Sequence, residues 1–204
     1  MRTHIAALAL ALTLCTAALA DDRTDCTQSE DHAVVSAACG RLIASESSTS
    51  EVKAVAHANI GNSLRRQRDF AAAIGEYSEA IKLNPQLAVL YFNRGVSQYA
   101  NGDPKAAIAD FSEAIRLDPK DPQAYVNRAI MQFEGDAFAP ALADMDAAIK
   151  LAPKMTMLYT YRGKIHLAAG NAGKAIADFK QVLKLEPANA DAKALLADLG
   201  VETK

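Results

Sequence analysis

The sequence predicts an all-α fold, an α-solenoid of stacked antiparallel helix pairs. Three observations carry this expectation. The prolines Pro85, Pro119, Pro153 and Pro187, each closing a leucine-x-proline triplet, recur every 34 residues, and a fixed period of this length marks a repeat architecture. Within each period two stretches of helical apolar spacing flank a short polar turn. Counting the proline as position 32, position 8 is Gly61, Gly95, Ala129 and Gly163; position 20 is alanine at 73, 107, 141 and 175; position 24 is Tyr77, Phe111, Met145 and Phe179.

The elements follow in order. Met1–His4 is mildly basic, residues 5–18 are almost wholly apolar, and Ala18-Leu19-Ala20 precedes acidic Asp21-Asp22. This predicts a signal peptide over residues 1–20. An uncleaved anchor is one alternative. Cys15 raises a lipoprotein as another, against which Leu14 stands where a small residue is needed. Export to a Gram-negative periplasm is the expectation, with an extracellular or envelope-associated site as alternatives, and no membrane span after cleavage. Two cysteines then remain, Cys26 and Cys39, and an even number in an exported chain predicts a disulfide. In the chain-entropy account so short a loop is worth on the order of 3 kcal/mol.

Residues 21–50 form the expected N-terminal cap and linker, with a helix over 31–43 reading as a degenerate second helix of a repeat. Ser48 and Glu51 are spaced as a capping box. Repeats are assigned to 54–87, 88–121, 122–155 and 156–189, the first pair of helices to about 51–67 and 70–83. Turns fall at Arg68-Asp69, Asn101-Gly102-Asp103, Gly135-Asp136 and Gly170-Asn171, glycine serving as the stop and Asp or Asn as the next cap. Pro104 and Pro140 sit in first turns, where proline is tolerated. Residues 190–204 are a C-terminal capping helix and tail. Small residues at position 8 are expected opposite Ala at position 20, letting the two backbones approach.

On these residues the chain resembles the tetratricopeptide repeat family, with about four repeats over roughly 54–187. The resemblance implies a right-handed superhelix whose first helices line a concave groove through positions 2, 5, 6, 9, 12 and 13. Those positions carry Val55, Ala58, Asn59, Asn62, Arg65 and Arg66 in the first repeat, and Val89, Phe92, Asn93, Val96 and Tyr99 in the second. They carry Gln123, Val126, Asn127, Ile130 and Phe133 in the third, and Met157, Tyr161 and Lys164 in the fourth. Family members that grip a chaperone's C-terminal carboxylate add cations to two asparagines. Only Asn62 and Asn93 match, while Ala58, Gln123 and Asn127 stand at the three basic positions, so that clamp is not expected. The competing reading is that the aromatics pack on neighbouring first helices, or that the ends of the chain fill the groove.

A second regularity concerns charge. Position 7 is Arg94, Arg128 and Arg162, but Ile60 in the first repeat; position 23 is Glu76, Asp110, Asp144 and Asp178. The pattern predicts Arg–carboxylate pairs within a repeat or to its neighbour; the alternative is that each arginine lies along its helix with its head in water.

Little else suggests chemistry. The net charge of −2 gives no electrostatic case for nucleic acid. The four histidines are dispersed, with no H-E-x-x-H, paired C-x-x-C, calcium loop, G-x-S-x-G or phosphate loop. His57 and His166 are expected to pack between helices. No cofactor, no metal and no enzyme activity are expected. The function expected is an adaptor that takes a peptide or helix of a partner protein in the groove; the alternative is a structural repeat protein of the envelope that self-associates through its ends. A concentration-independent monomeric mass argues against the latter.

Overall fold

The computed structural model describes residues 21–202; the predicted signal peptide lies outside them. The described chain is all-α, and successive helices stack in antiparallel pairs in the manner of a repeat solenoid. Two compact units divide at Asp103 and Pro104.

The first unit holds α1 (residues 21–28), α2 (His32–Ala44), α3 (Ser50–Arg66), α4 (Phe70–Leu83) and α5 (Ala88–Ala100). Its start is a stapled pair: Cys26 of α1 is disulfide-bonded to Cys39 of α2, and Arg41 donates to Asp22 at 2.6 and 2.8 Å. Val35, Ala38, Cys39 and Leu42 of α2 bury with Ala56 of α3, and Ile60 packs against them. The cap of α3 is Thr49, whose hydroxyl accepts from the Val52 N–H at 3.3 Å. The cap therefore falls one residue beyond the expected Ser48, and with Val52 at its third position it is a simple cap, not a capping box.

The second unit holds α6 (Pro104–Leu117), α7 (Pro122–Glu134), α8 (Phe138–Leu151), α9 (Thr156–Ala168), α10 (Ala172–Leu185) and α11 (Ala190–Asp198). Ala129, Ala141, Met145, Ala148, Leu158 and Ile165 form its main core. Leu196 of α11 lies against Ala175 and Phe179, closing that end.

Each hairpin turn contains one left-handed residue, and these too keep the 34-residue period: Arg68, Gly102, Asp136 and Gly170. Gly135 is not the left-handed residue of its turn; Asp136 is, at φ 57°. A short polar side chain tolerates that region better than most. Ala137 rather than Asp136 then precedes α8, and neither it nor Asn171 caps its helix through the side chain.

At Gly61 and Gly163 the position-24 rings stand nearest to the space a side chain would need. A Cβ at Gly61 would stand 2.9 Å from the Tyr77 ring, and one at Gly163 would overlap the ring of Phe179. In the third repeat the position-8 residue is Ala129 and the position-24 residue is Met145, both fully buried. The added methyl is matched by a narrower, flexible side chain.

Candidate partner-binding faces and the ion pairs behind them

First helices must be held before they can present a face. Position-7 arginines do this by spanning two second helices. Arg128 of α7 donates to both Asp144 oxygens of α8 at 2.7 Å, and its third nitrogen donates to the Ser112 hydroxyl of α6 at 2.9 Å. Arg162 of α9 donates to Asp178 of α10 at 2.5 and 3.0 Å, and to Asp146 of α8 at 2.6 Å. Asp144 and Asp178 are buried, and hydrogen bonding to these carboxylates holds both guanidinium pKa values above the ordinary arginine range. Arg94 of α5 donates to the Ser78 hydroxyl of α4 at 3.0 Å; Asp110 is buried. The fork geometry of arginine makes such a double grip possible.

A tyrosine at position 4 adds a second tie that the sequence reading missed. Tyr91, Tyr125 and Tyr159 donate to the carbonyls of Pro85, Pro119 and Pro153, at 3.2, 3.4 and 2.9 Å. The signal was available, since all three tyrosines stand 34 residues apart.

The first repeat departs at both positions. Ile60 replaces the arginine and His57 the tyrosine, and the position-23 acid Glu76 bonds His57 Nδ1 at 2.8 Å. The position-7 pattern thus does not extend to Glu76, because Ile60 packs instead into the apolar cluster formed by α1 and α2.

On the first unit, α3 and α5 present the groove residues. Val55, Val89 and Tyr99 are 41%, 56% and 39% exposed; Phe92, Asn93 and Val96 are half-buried. Asn62 accepts the Tyr77 hydroxyl at 2.7 Å. Burial raises the Tyr77 phenol's pKa above its ordinary value, against the pull of the Arg65 guanidinium beside it. Arg65 is half-buried and Arg66 exposed. An apolar recess of about 370 Å³ opens between α1 and α3, lined by Cys26, Val52, Val55 and Ala56.

On the second unit, α7 and α9 present Gln123 and Lys164, both exposed, and Met157, 43% exposed. Val126 is a correction: it is buried at 7% in the main core and reaches the surface only as the wall of a 70 Å³ notch with Pro122, Gln123, Met155 and Met157. Ile130, Phe133 and Tyr161 are half-buried against that core. Phe133 also packs on Phe138 with ring centroids 6.1 Å apart. The Asn127 amide donates to the Gln123 carbonyl at 2.8 Å, which leaves its oxygen and one N–H for a ligand. Lys164 Nζ lies 5.9 Å from the Tyr161 ring centre. His166 is buried between helices, and burial lowers its pKa below the ordinary imidazole value.

Among the described residues no group of three or more His, Cys, Asp or Glu could hold a metal ion. Among them no helix is long and apolar enough to cross a membrane.

Paired helices with a 34-residue period, small residues under aromatic ones and exposed first-helix faces define a helical repeat protein. Residues 58–122 and 92–156 match one family model described as tetratricopeptide repeat, and residues 166–204 match a second of the same description. Together they span more than half of the 204 residues, and the chain belongs to the tetratricopeptide repeat family. No curated protein sequence matches it. Among solved structures, the MamA protein is similar at 22% identity, over 72% of this chain and 83% of that one, with a TM-score of 0.67. YrrB, described as a TPR protein with an unusual peptide-binding site, is similar at 18% identity over 69% and 73%, with a TM-score of 0.63. The first TPR of Spaghetti (RPAP3), solved bound to an HSP90 peptide, is similar at 30% identity over 56% and 91%, with a TM-score of 0.53. The fold is one that typically does no catalysis.

Proposed function

We propose that the protein is a non-enzymatic adaptor that binds a peptide or amphipathic helix of a partner protein along its first-helix faces. One observation carries the reading. Of the large apolar side chains exposed among the described residues, Val55, Val89, Tyr99 and Met157 stand at groove positions of first helices, while Val34, Leu151 and Met155 lie elsewhere. Exposed apolar surface of this kind is used for partners, and an amphipathic segment laid on a helical groove is a common way to cover it. Similarity to proteins described as peptide-binding supports the same class. The leader-like residues 1–20 and the Cys26–Cys39 bridge support an exported location, the periplasm in a Gram-negative cell.

The test uses exposed positions, because Phe133 serves the core. Val89→Asp with Met157→Asp should abolish cross-linking to partners in intact cells while leaving far-UV circular dichroism unchanged. Unaltered cross-linking would defeat the reading. Detection of the chain outside the exported fraction would defeat the location alone.

A further inference from the structure

Cys26 stands 34 residues before Ile60, and Cys39 stands 34 before Ala73. The disulfide therefore joins positions 7 and 20 of a shortened repeat made by α1 and α2. In the later repeats position 7 is the arginine that fastens a first helix, Arg128 to Asp144 and Arg162 to Asp178. Here the fastening is covalent. Unlike an arginine fork, it can be undone by a thiol.

The helix it fastens has little else to hold it. Of the eight residues of α1 only Asp22 and Cys26 are buried. Asp22 pairs with Arg41, whose side chain is 58% exposed, and such pairs contribute little. The Asn59 amide reaches Cys26 Sγ at 3.8 Å, and sulfur is a weak acceptor. A helix this short does not hold its shape alone in water. Nor does α1 close on α3. The apolar recess of about 370 Å³ opens between them, with Arg23, Cys26 and Thr27 on one side and Val52, Val55 and Ala56 on the other.

We propose that α1 is a redox-released cover over the flank of α3 that carries Val55 and Asn59. The cover does not depend on the partner-binding reading. A dithiol reductant approaches along the recess, and its thiolate attacks Cys26 Sγ. The bond to Cys39 breaks, and Cys39 leaves as a thiolate that takes up a proton. The second thiol of the reductant attacks the mixed disulfide, frees Cys26 as a thiol and closes the reductant into its own disulfide. Two electrons and two protons pass to the protein. With the bridge open α1 detaches, and Leu42, Val52 and Ala56 join the exposed Val55 as one apolar surface. The first helices held by Arg128 and Arg162 do not respond.

Dithiothreitol, added to the disulfide-intact protein without denaturant, tests this. Alkylation after treatment should label both Cys26 and Cys39. Amide protection in α1 should then fall by about tenfold or more, to the level of an unstructured peptide. α3 should stay better protected than α1, and α9–α10 should not change. Fluorescence of the apolar dye anilinonaphthalene sulfonate should rise as the flank is uncovered. Cys26→Ser with Cys39→Ser should show both signatures without reductant and no response to it. A bridge that resists dithiothreitol until denaturant is added would overturn the cover. So would an α1 that stays protected once reduced, or an α3 that exchanges as fast as α1, since the cap would then unravel instead of opening.

Discussion

The first repeat and the last two solve one problem differently. In the second unit each first helix is clamped by an arginine that grips its own second helix and the preceding one, Arg128 through Asp144 and Ser112, Arg162 through Asp178 and Asp146. In the first repeat that register is Ile60, packed on the disulfide-stapled pair α1–α2, and the acid turns to His57. The difference teaches that position 7 is chosen by the surface it meets. Where a preceding second helix offers Ser or Asp, an arginine fork satisfies both sides. Where a cap offers Val35, Ala38 and Leu42, a cation would be buried without an acceptor, and an aliphatic residue serves.

The sharpest way to break the comparison is to remove the acids. Asp144→Ala leaves a largely buried guanidinium without its carboxylate and should cost roughly 3–5 kcal/mol, whereas Glu76→Ala should cost less, about 1–2 kcal/mol, because Glu76 is 31% exposed against 8% for Asp144 and makes one hydrogen bond to His57 instead of a two-bond fork. Urea unfolding gives both losses, and equal values would erase the distinction.

Next comes the staple. Reduction, or Cys26→Ser with Cys39→Ser, should cost about 3 kcal/mol. Hydrogen exchange should show the loss in α1–α3 and not in α9–α10. Uniform deprotection would mean that the cap is not a local device.

A smaller effect concerns packing. Gly163→Ala pushes a methyl into the Phe179 ring and should cost about 2 kcal/mol. Adding Phe179→Met, the pairing found at Ala129 and Met145, should recover much of that, read as a melting temperature. No recovery would mean that ring width is not what the glycine serves.

The smallest effect is protonation of His166. Its folded pKa is depressed by burial, so the unfolded chain binds the proton more readily. The contribution is fully present above about pH 6.5, the ordinary imidazole value, and is lost as pH falls below it. A His166→Gln variant should show a shallower decline between about pH 6.5 and 5. Parallel curves would exclude this histidine as the cause.

Much of the fold was legible because the period is written in residues whose reasons are local. Prolines end second helices, and apolar residues recur at helical spacing. The site was legible less far. Val126 stands at a groove position yet serves the core, because adjacent first helices close over it and only Met155, Met157 and Gln123 leave a notch there. Asn127 offers less than its position promised, since its amide bonds its own helix. No spacing rule could reveal that Tyr77 fixes Asn62, because that contact crosses from α4 to α3.

The sequence by itself determined the helical hairpins from α3 onward and their order, since period and turn chemistry act along the chain; it did not foretell α1, which lies outside the period. Tertiary structure alone decided which acid each cation meets, which glycine answers which ring, and which groove residues stay in water. Those outcomes depend on what a neighbouring helix brings within about 3 Å, the reach of a hydrogen bond, and a one-dimensional pattern does not encode that distance.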